Sequence, residues 1–171
     1  EVDSLEEKLS AYEQGENGSD TEENFPADQQ QRLLEGVPEN ATELKDLPEV
    51  AADNFEVETP FTDSYGNRYE TGYKFDASFN GYAVFGLKGE YKTFSAVVVC
   101  GQDTSPGADM EILVYKNDDE LLGTISHVDK TTETLVIGPY DITDARNLTI
   151  KTSNEGSFAY GMCSLVNAYV E

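Results

Sequence analysis

The chain of 171 residues has no tryptophan, a single histidine at His127, and two cysteines, Cys100 and Cys163. A lone histidine cannot build a multi-histidine metal centre, and cysteines this far apart exclude a Cys-x-x-Cys redox or zinc site. Each cysteine falls at the end of an expected strand, where it reads either as a buried free thiol or as half of a disulfide. Positive charge is scarce as well, with 11 Lys and Arg against 34 Asp and Glu, a net charge of −23. Nucleic acid and anionic lipid both need clustered bases to neutralise phosphate, so neither is an expected partner. Neutral ligands and basic partners fit the charge. No apolar run approaches the roughly 20 residues of a membrane span, and none has the charged start and apolar middle of a signal peptide. The chain opens on Glu1, so any anchor or export signal is expected upstream, and membrane attachment only through such an anchor. A Gly-x-Ser-x-Gly elbow, a Cys–His dyad around His127 and a glycine-rich phosphate loop are all missing, and no pair of acids stands out as a glycosidase couple. The expectation is a protein that binds and does not catalyse.

What is present divides in two. Residues 1–54 hold sixteen acids, three bases and only two aromatics, Tyr12 and Phe25; the remainder carries the other sixteen aromatics and both cysteines. The first part has short helical hints, at Val2, Leu5, Leu9 and Tyr12 and again over Asp28 to Leu34, separated by the polar run GENGSDTEEN. Such a segment buries too little to order itself. Residues 1–43 are therefore expected to be an acidic tether, largely disordered or transiently helical, with the folded domain over 44–171 and the β-rich pattern proper from Phe55.

From Phe55 onward short β-prone runs alternate with Gly, Pro, Asn and Asp, the mark of a sandwich or barrel. Strands are predicted over Asn54–Val57, Arg68–Tyr73, Tyr82–Leu87, Phe94–Cys100, Met110–Tyr115, Glu120–Ser126, Glu133–Ile137, Leu148–Thr152 and Cys163–Val170. Asn117-Asp118-Asp119 should close a hairpin, Ser105-Pro106-Gly107 should break the chain, and Asp141 to Asn147 should form a polar corner. The run Ser95 to Cys100 is apolar without alternation, which suits a central strand covered on both sides. Cys163 to Val170 alternates, with Ser164, Val166, Ala168 and Val170 on one face and Cys163, Leu165, Asn167 and Tyr169 on the other, and Asn167 is expected near an end or an edge. The inter-sheet core is expected to hold Leu87, Val97, Val99, Ile112, Val114, Leu135, Ile137, Leu148 and Ile150.

The stretch FDASFNGYAVFGLKGEYKTFSAVVVCGQD, then ILVYKNDDELL, VIGPYDITDARNLTIKT and SLVNAYVE resembles the NPCBM family of carbohydrate-binding modules. The matching steps are Leu87, Gly89, Tyr91 and Phe94, the acidic hairpin from Val114 to Leu121, the Asn147-Leu-Thr-Ile corner, and the closing Asn167, Ala168 and Val170. Leu44-Lys45-Asp46-Leu47 resembles the family's entry segment, so the resemblance covers about residues 44–171. It implies an all-β, antiparallel, jelly-roll-like β-sandwich, display outside or on the surface of a bacterial cell, frequent linkage to glycoside hydrolases, and in some members binding of galactose-type or blood-group glycans. Where sugar-binding members carry a histidine this chain has Ser78, and where they carry a tryptophan it has Leu165. Both departures fall on the sugar site rather than on the fold.

A glycan site needs a flat apolar face for sugar C–H groups and polar partners for each buried hydroxyl. Two segments combine aromatics with small residues and lie where the related modules keep that histidine and tryptophan. From them and their neighbours come the candidate carbohydrate contacts Ser78, Phe79, Asn80, Tyr82, Asn154, Glu155, Phe158 and Tyr160. Tyr69, Tyr82 and Tyr91 lie in strand-like contexts and read more readily as cross-strand packing residues than as sugar contacts. No cofactor is expected. A structural calcium ion is conceivable at Asp103 and Asp109 or at Asn117 to Asp119, but solvated acidic turns explain both groups. His127 is expected in a surface turn, and the chain is expected to be a monomer. Against the glycan-binding reading stands a structural or protein-interaction sandwich that has lost the sugar site.

Overall fold

The computed structural model describes residues 36–156 and 159–171. The helical hints and the GENGSDTEEN run lie outside the described residues. Thirteen strands follow in order: β1 Thr42–Glu43, β2 Glu49–Asp53, β3 Phe55–Glu58, β4 Phe61–Thr62, β5 Arg68–Tyr69, β6 Gly72–Asp76, β7 Tyr82–Gly86, β8 Thr93–Cys100, β9 Met110–Lys116, β10 Glu120–Val128, β11 Leu135–Asp141, β12 Asn147–Asn154 and β13 Met162–Val170. They build two antiparallel sheets. One runs β11-β8-β13-β6-β3 with β1 also on β13, the other β10-β9-β12-β7-β2, and β4 and β5 form a separate hairpin. From β6 onward consecutive strands alternate between the layers, save the β9–β10 hairpin within the second, in the manner of a jelly-roll β-sandwich.

Period-two alternation in the second sheet decides which side chains meet across the sandwich. Ala83 and Phe85 of β7, Met110, Ile112 and Val114 of β9, and Leu148 and Ile150 of β12 all join the inter-sheet core. From the first sheet come Tyr73 and Phe75, Ala96, Val98 and Cys100, Ile137, and Cys163 and Leu165. At about 1.5–3 kcal/mol for each large side chain fully withdrawn from water, this layer is the main source of stability. Leu44 and Leu47, at the two ends of a 3-10 turn, are buried in the same core, and the Lys45 N–H donates to the Tyr73 hydroxyl at 2.9 Å. The Leu-x-x-Leu step is thus a plug that seats the start of the domain.

β8 is covered on both faces, as its unbroken apolar run predicts. The faces are not equivalent, however. Ala96, Val98 and Cys100 point into the sandwich, whereas Val97 and Val99 lie on the reverse of the sheet in a second cluster with Phe61, Val166 and Tyr169. Val97 and Val99 are therefore corrected from inter-sheet to outer-face positions, sealed by the β4–β5 hairpin. Leu135 is also corrected: it begins the edge strand β11 and is 39% exposed. The expected strand Arg68–Tyr73 is in fact two, β5 and β6, interrupted at Glu70 and Thr71. Expected alternation in β13 also fails halfway. Asn167 takes a left-handed φ of 48° at a bulge, so the core face is Cys163, Leu165, Ala168 and Val170, with Val166 and Tyr169 outward. An extra residue in one strand shifts the side-chain phase by one. His127 (φ 59°) sits at a similar irregularity in β10, not in a turn, with Nδ1 3.0 Å from Asp109 Oδ1.

Candidate functional site

Between β6 and β7 the chain makes a 3-10 turn, Ala77–Phe79, and Glu155, Gly156 and residues 159–161 lie between β12 and β13. Asp76 caps the turn by accepting the Ser78 N–H at 3.1 Å, and Asn80 ends it in the left-handed region (φ 54°, ψ 46°). The Asn54 side-chain amide donates to Phe79 O at 3.2 Å. The backbone is thereby held while the Phe79 ring is left 66% exposed.

Ser78 and Asn154 tie this turn to the neighbouring loop. Ser78 Oγ accepts the Gly161 N–H at 2.9 Å and donates to Ala159 O at 3.3 Å. Asn154 Nδ2 donates to Ala159 O at 2.8 Å and to Ser78 Oγ at 3.3 Å, while Oδ1 accepts the Asp109 and Gly156 N–H groups at 3.0 Å each. Their polar atoms serve the protein's own loops. Nor do the glycines leave room for a sugar ring. A Cβ on Gly81 would stand 2.4 Å from Asn54 O, and one on Gly156 would stand 2.2 Å from Gly107 O. Glycine is needed at both because another backbone passes there.

An apolar hollow lies beside Phe79, on the outward face of the second sheet. The ladder sets two rows of side chains across all five strands: Asp53, Tyr82, Lys151, Leu113 and Thr124, then Ala51, Val84, Thr149, Tyr115 and Leu121. An open groove of about 690 Å³ covers part of these rows, lined by Phe79, Asn80, Tyr82, Val84 and Leu113, with Asp53, Asp118, Thr149 and Lys151 among its polar groups. Lys151 Nζ sits 5.1 Å from the centre of the Tyr115 ring, and Thr149 Oγ1 is 3.4 Å from Asp118 Oδ1. The groove thus offers a ring and aliphatic surface next to carboxylates that accept hydroxyl protons and an ammonium that donates.

Phe79, Asn80 and Tyr82 therefore share the groove. Tyr160 does not line it; it is 38% exposed at a shallower hollow of about 340 Å³ that also takes in Glu56, Lys74 and Asp76. Burial, followed by the negative charge of Asp76, raises its hydroxyl above the ordinary tyrosine range. Glu155 is exposed, with its N–H donating to Asp109 O at 2.9 Å. Phe158 lies outside the described residues. Leu165 is fully buried between the sheets. The groove partners Asp53, Val84, Leu113, Asp118, Thr149 and Lys151 carry no sequence signal of a glycan contact, although Val84, Leu113, Thr149 and Lys151 occupy the outward phase of their strands. Of the acidic turns considered for calcium, Asn117 Oδ1 accepts the Arg146 and Asn147 N–H groups. Among the described residues no three His, Cys, Asp or Glu side chains come together as a metal site.

No family model matches the sequence, and no curated protein does. Solved structures do. A CBM51 from Clostridium perfringens GH95, in complex with methyl-galactose, aligns at TM-score 0.58 with 18% identity, covering 77% of this chain and 100% of that one. The tandem CBM51 modules of Sp3GH98, a family 98 glycoside hydrolase from Streptococcus pneumoniae, align at 0.64 with 16% identity over 89% of this chain and 51% of that one. The CBM51-2 and INT domains of Clostridium perfringens ZmpB align at 0.57 with 15% identity over 77% of this chain and 31% of that one. The chain thus spans about half of the tandem-module chain and about a third of the ZmpB chain. Its fold is the carbohydrate-binding-module type of β-sandwich. No helix among the described residues is long and apolar enough to cross a membrane.

Proposed function

We propose that this domain is a non-catalytic glycan-binding module of a bacterial extracellular or cell-surface protein, and that it takes a neutral sugar into the groove beside Phe79. The observation that carries the reading is the pairing of an exposed ring on a fixed backbone with a tyrosine-floored groove bordered by carboxylates. Sugars present an apolar C–H face and a hydroxyl rim, and this surface matches both. The solved structures of similar fold, one a module with methyl-galactose bound and one the tandem modules of a glycoside hydrolase, lend support to a sugar ligand and to a binding role. Affinity should be weak, nearer millimolar than nanomolar, since one or two aromatic contacts are worth roughly 0.5–1.5 kcal/mol each.

The test is a glycan array followed by calorimetry on the whole chain, with Phe79→Ala plus Tyr82→Ala compared against Tyr160→Ala. Loss of binding in the first variant and retention in the second supports the groove. The reverse result moves the site to the Tyr160 hollow. If the unmodified chain binds no glycan at millimolar concentration, the structural or protein-interaction reading replaces this one. That second reading draws on the internal use of Ser78 and Asn154, whose polar atoms bond the protein's own loops.

A further inference from the structure

Cys100 closes β8 and Cys163 lies one residue into β13, and the two stand directly opposite each other in the antiparallel ladder. The Gly101 N–H donates to Met162 O at 2.9 Å. That bond joins the residues flanking the pair, so Cys100 and Cys163 occupy a non-hydrogen-bonded position of the ladder. Opposed Cα atoms there are about 4.5 Å apart and their side chains approach most closely. This falls inside the roughly 4.4–6.8 Å range that a disulfide spans. Both side chains also face the same way, into the inter-sheet core, and both are free thiols in this structure.

We infer that Cys100 and Cys163 are an oxidative cross-linking site, which closes a disulfide between β8 and β13 when the chain folds in an oxidising compartment. One thiolate attacks a small-molecule or protein disulfide, giving a mixed disulfide and releasing one thiol; the second protein thiolate then displaces the other. In sum, the two cysteines give up two protons and two electrons, and the oxidant disulfide becomes two thiols.

The step belongs to folding and not to the finished domain. The thiolate is the nucleophile, and in the folded sandwich burial, then the neighbouring Cys100, pushes Cys163 up to about 12, while burial also raises Cys100. Neither thiol reaches solvent. The folded domain therefore keeps whichever state it folded in. The bond would brace the end of the sandwich where Thr104 Oγ1 and Met162 exchange hydrogen bonds and the Ser105 N–H donates to Tyr160 O.

The full chain, reduced and unfolded, is refolded in a mixture of reduced and oxidised glutathione, beside a reduced sample that is already folded. Free thiols are titrated after denaturation, intact masses are measured, and non-reduced digests are mapped. The refolded sample should lose both thiols and the mass of two hydrogens. Its digest should yield a Cys100–Cys163 peptide pair that separates on reduction. The folded sample should keep both thiols over the same time. Refolded protein with a native circular dichroism spectrum that carries two free thiols, or two glutathione adducts, overturns the inference. Equal oxidation of the folded sample overturns the assignment of the step to folding.

Discussion

Phe79 and Leu135 are both exposed apolar side chains, yet their settings differ. Phe79 projects from a capped turn over the groove, whereas Leu135 opens an edge strand. Neither buries enough surface to hold the fold, so Phe79→Ala should leave the melting temperature within a few degrees. Leu135→Ala should change stability by no more than about 0.5 kcal/mol. Ile112 and Leu148 are fully buried between the sheets, and truncation of either to Ala should cost about 2–5 kcal/mol. Urea unfolding of the four variants checks the contrast; a large loss for Leu135→Ala would mean that β11 packs differently. Gly81 makes a sharper case. Its added Cβ would meet Asn54 O and the Asp76 N atom at 2.4 and 2.9 Å, both backbone atoms that cannot swing aside. Gly81→Ala should therefore cost about 1–3 kcal/mol, whereas an unchanged unfolding midpoint would show that the turn relaxes freely.

Most of the strands from Phe55 on were legible because their apolar residues alternate or run unbroken between turn residues, as in β8 and β9. What stayed hidden is local. β1 and β4 have two residues each, too short to show a period. The bulge at Asn167 reverses the phase of β13, and nothing in the alternation of Ser164 to Val170 announces it. At the candidate site, Phe79 and Tyr82 were legible as aromatics near glycine and asparagine, but Lys151 and Asp53 join them only through cross-strand register, a long-range property. The segment linking β10 and β11 shows how such local chemistry shapes an element. Asp129 Oδ1 accepts the Thr131 N–H at 2.8 Å and the Thr131 hydroxyl at 2.6 Å, and Thr131 O in turn accepts the Tyr65 hydroxyl. The Thr131 hydroxyl and N–H bonds hold the Asp129 carboxyl below its ordinary value of 3.8. A depressed carboxylate contributes its stabilisation above the unfolded value and loses it as pH falls through the lower folded one. The loop should thus stay ordered at neutral pH and loosen below about pH 4. Hydrogen exchange at Thr131 and Thr132 should rise there relative to the core strands, and in Asp129→Asn the pH step should vanish.

On the scale of the whole molecule, the position of the first strands sets what the sandwich needs. β2 forms the edge of the second sheet beside β7, β1 pairs with the end of β13, and Leu44 and Leu47 are buried between the sheets. A fragment of residues 36–171 should therefore melt within a few degrees of the full chain, and one starting at Phe55 should lose a cooperative transition. Equal melting of both would mean that these contacts are dispensable. The charge of −23 supplies a separate test of what the domain binds. A field of one sign draws basic partners and speeds their encounter, and salt screens it, the Debye length falling from about 8 Å at physiological strength to about 3 Å at 1 M. Stacking on Phe79 and Tyr82 and hydrogen bonds from sugar hydroxyls involve no net charge on the ligand. Glycan affinity should thus change by less than about twofold between low and high salt, while attraction of a basic peptide should fall by tenfold or more. Titration of the same protein with a neutral oligosaccharide and with a polylysine peptide, each at low and at high sodium chloride, separates the two. A salt-insensitive sugar signal that disappears in the Phe79→Ala, Tyr82→Ala variant would fit the groove, and a sugar signal that fades with salt would point to charge rather than stacking as its source.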